Sequence, residues 1–545
     1  MGKAKSEKAH RPSGVHESPY GAVGTLDESR TLAEFGKTRR PWLAPLLLFV
    51  IGLVGFSLFA WNRLASQSTD PHFAYLAEAF LAGEMEIQRE PPHGNDWATV
   101  TEFELQSGQT VAGVWYNESE NKFVTLAGEM LLLDAQERRG ARRTQHTFVS
   151  FPPGPSFLMM PFVAAFDGPV THVVQEGENL TSIAEQYANV SVQDLRSWNE
   201  GLTSRVRPGD ELTVRTLDFN DVWFTIFFGT LNLPLLYLLL RRISKGGRTG
   251  RSASDNIWLV MMMGFGSVYL FCTVLGQVWF TALIVGITFT LLYLIASVDG
   301  KHPILAGVFL ALAFSTRTTL LFTAFVYPAF VLFPGGKLRR DGWGKAIGKV
   351  LLFGIGPLLM GSLLLYFNHL RFEKFSEFGH RYLAYGQLTR IRDYGLFNYH
   401  FLAKNLSAMF TLMPRIQPDE PYVLFSKHGM SIFLTTPAWI YLFKARKREY
   451  REDAFWYRLC WAAVLIVAIP HLLYQNTGYE QFGYRFSLDY TPYLVLLLAL
   501  GRTPFTRWFK FWVVVGFIVN AFGAVTFKRG ELYDKLYNEW FFDPD

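Results

Sequence analysis

Residues 42–61 read WLAPLLLFVIGLVGFSLFAW, twenty positions without a charged side chain. A helix rises about 1.5 Å per residue, so this stretch is long enough to cross the roughly 30 Å hydrocarbon core of a bilayer. Lys37, Arg39 and Arg40 precede it. The run is longer than the short apolar core of a cleaved signal peptide and lacks its small-residue cleavage site, so the pattern reads as a retained span.

Working outward, ten further apolar stretches fall at 219–240, 256–273, 279–298, 303–316, 318–334, 347–368, 430–443, 455–474, 490–501 and 511–527. The polar turn Ser315-Thr316-Arg317 separates the fifth of the eleven stretches from the sixth. The composition agrees with a polytopic membrane protein. Of 545 residues, 52 are Lys or Arg and 46 Asp or Glu, so 18% are charged while 50% are hydrophobic and 16% aromatic. Soluble domains carry about 25% charge, and disordered or collagen-like chains are poor in large apolar residues. The net charge of +6 does not point to nucleic acid, because most basic residues flank apolar segments. Cys272 and Cys460 both lie inside apolar runs, which excludes a disulfide framework.

Lys and Arg resist translocation and so report orientation. Lys37/Arg39/Arg40, Arg241/Arg242/Lys245/Arg248/Arg251, Lys337/Arg339/Arg340 and Lys444/Arg446/Lys447/Arg448/Arg451 follow alternate spans, and Arg502, Arg507 and Lys510 join them. The expectation is a mostly α, polytopic protein of an inner or plasma membrane with about eleven transmembrane helices over 42–527. Residues 1–41 form a disordered cytoplasmic tail and 528–545 an outer tail. Two large outer regions follow: 62–170, with juxtamembrane helices and β-hairpins over 98–133, and 371–428, whose Tyr, Phe, His and Arg content suits segments lying on the membrane.

Between them, residues 171–216 alternate as strand, helix, helix, strand. His172–Gln175 opens, Asn179 caps a helix to Tyr187, Ser191 caps a second to Trp198, and Glu211–Arg215 closes. The marks Gly177-Glu178-Asn179-Leu180, Ile183-Ala184, Leu195, Trp198-Asn199 and Arg207-Pro208-Gly209-Asp210-Glu211-Leu212 closely resemble a LysM domain. The resemblance implies an α+β module that binds peptidoglycan or another N-acetylglucosamine-containing glycan. Its groove would be lined by Gly177, Glu178, Asn179 and Leu180 with Ser204, Arg205 and Arg207. The bland alternative is a spacer with only a small core.

After the first span comes Ser68-Thr69-Asp70-Pro71-His72, followed by an Ala- and Tyr-containing amphipathic segment. Further on stand Phe151-Pro152-Pro153-Gly154, Gly264-Phe265-Gly266-Ser267, Gly276-Gln277-Val278-Trp279, Ser315-Thr316-Arg317-Thr318, Asn368-His369-Leu370-Arg371 and Gly483-Tyr484-Arg485-Phe486. In this order they resemble the GT-C glycosyltransferases, the branch of protein O-mannosyltransferases and aminoarabinose transferases. An inserted LysM module is not part of the usual pattern.

The resemblance implies inverting transfer of a sugar from a polyprenyl-phosphate donor to an acceptor on the outer face. Asp70 would act as general base, against the alternative of a helix-end carboxylate. Arg485 and Arg317 would hold the donor phosphate, against ordinary interfacial arginines. Glu78, His369, His380, Tyr382, Lys427, His428, Glu480, Tyr484 and Asp489 are candidate donor or acceptor contacts. No residue pattern requires a cofactor, and the need for a divalent metal stays open. Expected partners are the lipid-linked sugar, the wall glycan and membrane lipids, with no nucleic acid. The rival readings are a non-enzymatic carrier of polyprenyl-linked glycans and a wall-binding scaffold. There is no Walker phosphate loop and no Gly-x-Ser-x-Gly elbow.

Overall fold

The computed structural model describes residues 40–94, 96–105, 107–133, 142–187, 189–199, 201–202, 205–383, 387–444, 451–501 and 503–540. The expected tail over 1–41 therefore lies almost wholly outside the described residues, as do Ser204, the basic run Arg446/Lys447/Arg448 and Arg502.

The chain is mostly helical, and among the described residues six helices are long and apolar enough to span a membrane: Leu43–Arg63, Asp221–Lys245, Val278–Gly300, Trp343–Phe372, Ala454–Leu473 and Arg507–Thr526. These coincide with six of the eleven expected stretches. The other five are shorter or broken. Residues 256–273 divide into Ala253–Gly264 and Tyr269–Thr273 around Phe265-Gly266-Ser267, and 318–334 into a 3-10 turn Thr318–Thr323 and a helix Val326–Leu332. Pro303–Phe314 and Thr491–Leu500 are regular, and 430–443 is only Ile432–Thr435 followed by the 3-10 turn Pro437–Leu442. A ten-residue helix is about 15 Å long, half a bilayer. In Thr491–Leu500 the apolarity reflects packing inside the bundle, since every one of its residues is buried, whereas Pro303–Phe314 also exposes Ile304 and Leu305.

The basic clusters gather at one end of this bundle. Arg241 Nη1 donates to Pro41 O at 3.1 Å, Arg242 Nη1 to Ile295 O at 2.7 Å, and Lys349 Nζ to Gly300 O at 3.0 Å. Arg251, buried, caps the carbonyls of Leu498, Gly501 and Thr503 at 2.7–2.8 Å. The opposite end carries the β-structure.

There, strands β1 (Trp97–Glu104), β2 (Thr110–Asn117), β3 (Lys122–Thr125), β4 (Met130–Leu132) and β5 (Arg142–Val149) form an antiparallel sheet of order β4-β3-β2-β1-β5. Period-2 alternation puts Phe103, Val111, Phe123 and Leu133 on one face. Ala98, Val100 and Leu126 on the other pack on Phe372, the last residue of the fourth long helix, and on Tyr382 in the 3-10 turn His380–Tyr382 that follows. Arg371 Nη1 donates to Val149 O at 2.5 Å and ties the same helix to β5. The Pro-Pro-Gly segment starts the juxtamembrane helix Gly154–Phe166.

The module that follows pairs β6 (Gly168–Val173) with β7 (Glu211–Thr216), antiparallel, with His172 opposite Leu212. Leu180–Ala184 and Val192–Trp198 are its helices, the first ending three residues earlier than the sequence implies. Asn179 and Ser191 each complete a capping box. Its core is Val174, Leu180, Ile183, Leu195, Leu212 and Val214.

The second outer region begins after Phe372 and forms short helices Gln387–Tyr394 and Leu402–Phe410 and strands β8 (Arg415–Ile416) and β9 (Val423–Ser426). Up to residue 540, the carboxyl-terminal segment is not a loose tail. Tyr537–Asn538 forms β10, parallel to β9, and Tyr537 is buried against Phe425 and Phe527.

Candidate functional site

A cavity of about 330 Å³ opens at the β-structured end of the bundle. Four distant segments meet there: Asp96 before β1, Ser150-Phe151-Pro152, the turn around Arg317, and the 3-10 turn Arg485–Asp489. Gly154 sets part of this geometry. Its N–H donates to Ser315 O at 2.8 Å, and a Cβ on Gly154 would lie 2.6 Å from that oxygen. Only glycine lets the Pro-Pro-Gly segment approach the turn that carries Arg317.

The two arginines are not equivalent. Arg317 forks onto Asp489, with Nη2 to Oδ2 at 2.8 Å and Nε to both oxygens at 3.2 Å. Asp489 also accepts from Thr319 Oγ1 at 2.8 Å and faces His471 Nε2 at 2.8 Å, so its charge is fully used inside the bundle. Arg485 is 5% exposed and among the described residues pairs with no carboxylate. Its Nη1 reaches Glu480 O at 3.5 Å, its Nε is buried without a partner, and its guanidinium stands over the rings of Phe280 at 5.1 Å and Trp279 at 5.7 Å. A buried guanidinium with unspent donors is a ready site for an anion.

Asp96, not singled out in the sequence, is the carboxylate of the cavity wall. Trp279 Nε1 donates to its Oδ2 at 2.7 Å, and its backbone is held at φ +58°, a region an Asp adopts at some cost. His93, three residues earlier, faces Asp70. That carboxylate is 2% exposed and does not line the cavity. It accepts from Thr69 Oγ1 at 2.7 Å and from Gln277 Nε2, and faces His93 Nε2 at 3.0 Å. Burial pushes its pKa up, but the hydrogen bond from His93, the nearby Lys528 ammonium and Thr69 outweigh that and bring it to about 2. The His93 pKa is raised in return, chiefly by its hydrogen bond to Asp70.

The other candidates divide. His380 lines the cavity, with Nδ1 buried and unpartnered and its pKa lowered by burial. Tyr484 is fully buried behind Arg485. Tyr382 packs on Phe372, and His369 stacks on Phe375 with ring centroids 4.6 Å apart. Glu78 is bound by Arg89. Lys427, His428 and Glu480 belong to a separate cluster under the carboxyl terminus: Lys528 Nζ meets Glu480 at 2.6 Å, Lys427 Nζ meets Glu539 at 3.9 Å, and His428 Nδ1 lies 2.7 Å from Thr477 Oγ1. Asp96, His93 and His471 had no sequence signal, since each is an isolated polar residue whose partner is distant in the chain. Gln277 stood in a quoted motif but carried no assigned role. Among the described residues no cluster of three or more His, Cys, Asp or Glu is placed to hold a metal ion.

In the small module, Gly177, Arg205 and Arg207 are exposed, and Leu180 is in the core. Glu178 is engaged internally by Gln175 N and Gln186 Nε2, both at 2.6 Å, and by His172 at 3.0 Å; these hydrogen bonds draw its pKa down to about 2. The module is docked on the opposite edge through Arg89, which donates to Asn189 O at 3.2 Å and Arg215 O at 2.8 Å and stacks over Trp198 at 5.1 Å. Glu90 N donates to Asp194 Oδ1 at 2.7 Å.

Residues 172–215 match the LysM domain family. Neither a curated protein nor a solved structure matches the chain, and the resemblance of the membrane portion to GT-C glycosyltransferases gains no support from these comparisons. The protein thus carries a LysM domain, a type that binds N-acetylglucosamine-containing glycans such as peptidoglycan, on a helical body with six candidate membrane spans.

Proposed function

We propose that the protein is a membrane glycosyltransferase of GT-C type, moving a sugar from a polyprenyl-phosphate donor to an acceptor on the outer face. The observation that carries this reading is Arg485, a buried guanidinium without a carboxylate partner at the wall of a cavity that also holds Asp96. In the reaction the acceptor hydroxyl gives its proton to Asp96 as its oxygen attacks the anomeric carbon from the face opposite the phosphate. The bond from that carbon to the phosphate oxygen breaks, and the electron pair leaves with the lipid phosphate. Arg485 stabilises the departing charge, with the Arg317–Asp489 pair beside it at the cavity. Asp70, already saturated by donors, orders the loop that presents Asp96 and is not the base. The LysM domain holds peptidoglycan at the same face, consistent with the basic residues at the far end of the bundle marking the cytoplasmic side.

The test supplies the purified protein with a panel of polyprenyl-phosphate sugars and peptidoglycan fragments. Transfer by the wild type, abolished in Asp96→Asn with donor binding retained, supports the reading. Donor binding by the wild type without transfer to any acceptor overturns it in favour of a carrier.

A further inference from the structure

A second cavity, of about 630 Å³, lies between the β2–β4 side of the sheet and the segment after the fourth long helix. Ser376, Phe378, His380 and Leu396 line both cavities, so the two adjoin at a common wall. The second one has its own chemistry. Lys374, Arg381 and Arg392 supply three cations against two carboxylates, Glu377 in the lining and Asp393 beside Arg392. Glu377 is 7% exposed and turned into its own loop, where it accepts from Gly379 N at 2.9 Å. Its contact with Arg381 is long, 3.5 Å, and the Arg381 side chain stays 71% exposed. Lys374 pairs with no carboxylate among the described residues. Arg392 lies 3.2 Å from Asp393 and stands 4.5 Å above the Tyr116 ring. Phe378 gives the cleft an apolar face on which a sugar ring can lie.

From this we infer that the second cavity is an acceptor cleft for an anionic glycan, one bearing carboxylates or phosphates, which delivers its end past His380 to Asp96. The assignment rests on the transferase reading for the word acceptor; the binding itself does not. A cleft whose cations outnumber the carboxylates beside them retains anions over neutral sugars of equal size, and the preference weakens with salt.

The test uses the full chain in lipid nanodiscs with probes that lack N-acetylglucosamine, so that the LysM domain is silent. Tetragalacturonate and a glycerol-phosphate tetramer are compared with neutral cellotetraose. Both anionic probes, or one of them, should bind at least tenfold more tightly than cellotetraose, and Lys374→Ala/Arg381→Ala/Arg392→Ala should remove that difference. The first two side chains do not anchor the core, and binding of polyprenyl phosphate at Arg485 should be unchanged in the variant, which reports a folded protein. Equal binding of anionic and neutral probes, or an unchanged preference in the triple variant, overturns the inference. Anion binding with no polyprenyl-phosphate binding keeps the cleft and removes the transferase.

Discussion

The Arg89 guanidinium grips both carboxylate oxygens of Glu78, with Nε at 2.6 Å and Nη2 at 2.7 Å, and in the same position reaches two LysM carbonyls and the Trp198 ring. Glu78 rides on the helix His72–Leu81, which starts beside Asp70. The LysM domain is therefore fixed to the membrane body through a fully buried arginine. Breaking a buried pair by removing one partner costs about 3–5 kcal/mol. Arg89→Ala should detach the domain without unfolding its own core. Hydrogen exchange should rise at the docking contacts, the Glu90 amide and the Trp198 indole, while the core amides of Leu180 and Leu195 stay protected; equal exchange at those contacts in both proteins refutes this.

The contrast between Arg317 and Arg485 makes a second prediction. Arg317 is committed to Asp489, so Arg317→Ala leaves a buried carboxylate short of donors and should lower the melting temperature by several degrees, on the order of 3 kcal/mol. Arg485 has no such partner. Arg485→Ala should leave the melting temperature nearly unchanged and weaken polyprenyl-phosphate binding at least tenfold. The reverse pattern would transfer the anion role to Arg317.

Gly154 offers a steric test. Gly154→Ala places a methyl group 2.5–2.7 Å from Ser315 Oγ, O and C, two of them backbone atoms that cannot move aside cheaply. The turn bearing Arg317 must shift. Overpacking of this kind costs about 1–3 kcal/mol. Sugar transfer should fall at least tenfold, with the melting temperature lowered modestly; normal activity would show that the close approach has no role in the site.

The pair Asp70–His93 makes stability depend on pH at two limbs. The folded pKa of Asp70, about 2, lies below its ordinary 3.8, so its contribution is present above the ordinary value and lost as pH falls towards 2. His93 is shifted the other way, so its contribution is present below its ordinary value of 6.5 and lost as pH rises through its raised folded value. Melting temperatures across pH should show His93→Gln flattening the alkaline limb and Asp70→Asn flattening both. Profiles parallel to wild type would remove the coupling.

Much of the architecture was legible because it depends on local patterns. Period-2 runs over 98–133 became β1–β4, and the capping residues Asn179 and Ser191 start the helices they were expected to start. Six long apolar stretches became six long helices. The other five stretches are shorter or broken; in Thr491–Leu500, buried throughout, the reason is that burial inside a bundle and exposure to lipid select the same residues, so hydropathy does not separate the two. In the candidate site, Arg317 and Arg485 were visible as charges beside apolar runs, but their division of labour was not.

By itself the sequence determined what nearest neighbours impose: apolar helices, alternating strands, the LysM module with its caps, and the segregation of basic residues between alternate segments. Only the tertiary structure decided which charges are spent. Asp70 is held by Gln277 and His93, Glu78 by Arg89, and Asp489 by Arg317 and His471, while Asp96 and Arg485 line the cavity. The partners lie up to 207 residues apart in the chain. Whether a buried charge is neutralised depends on distances of about 3 Å, and such distances exist only after the segments have packed.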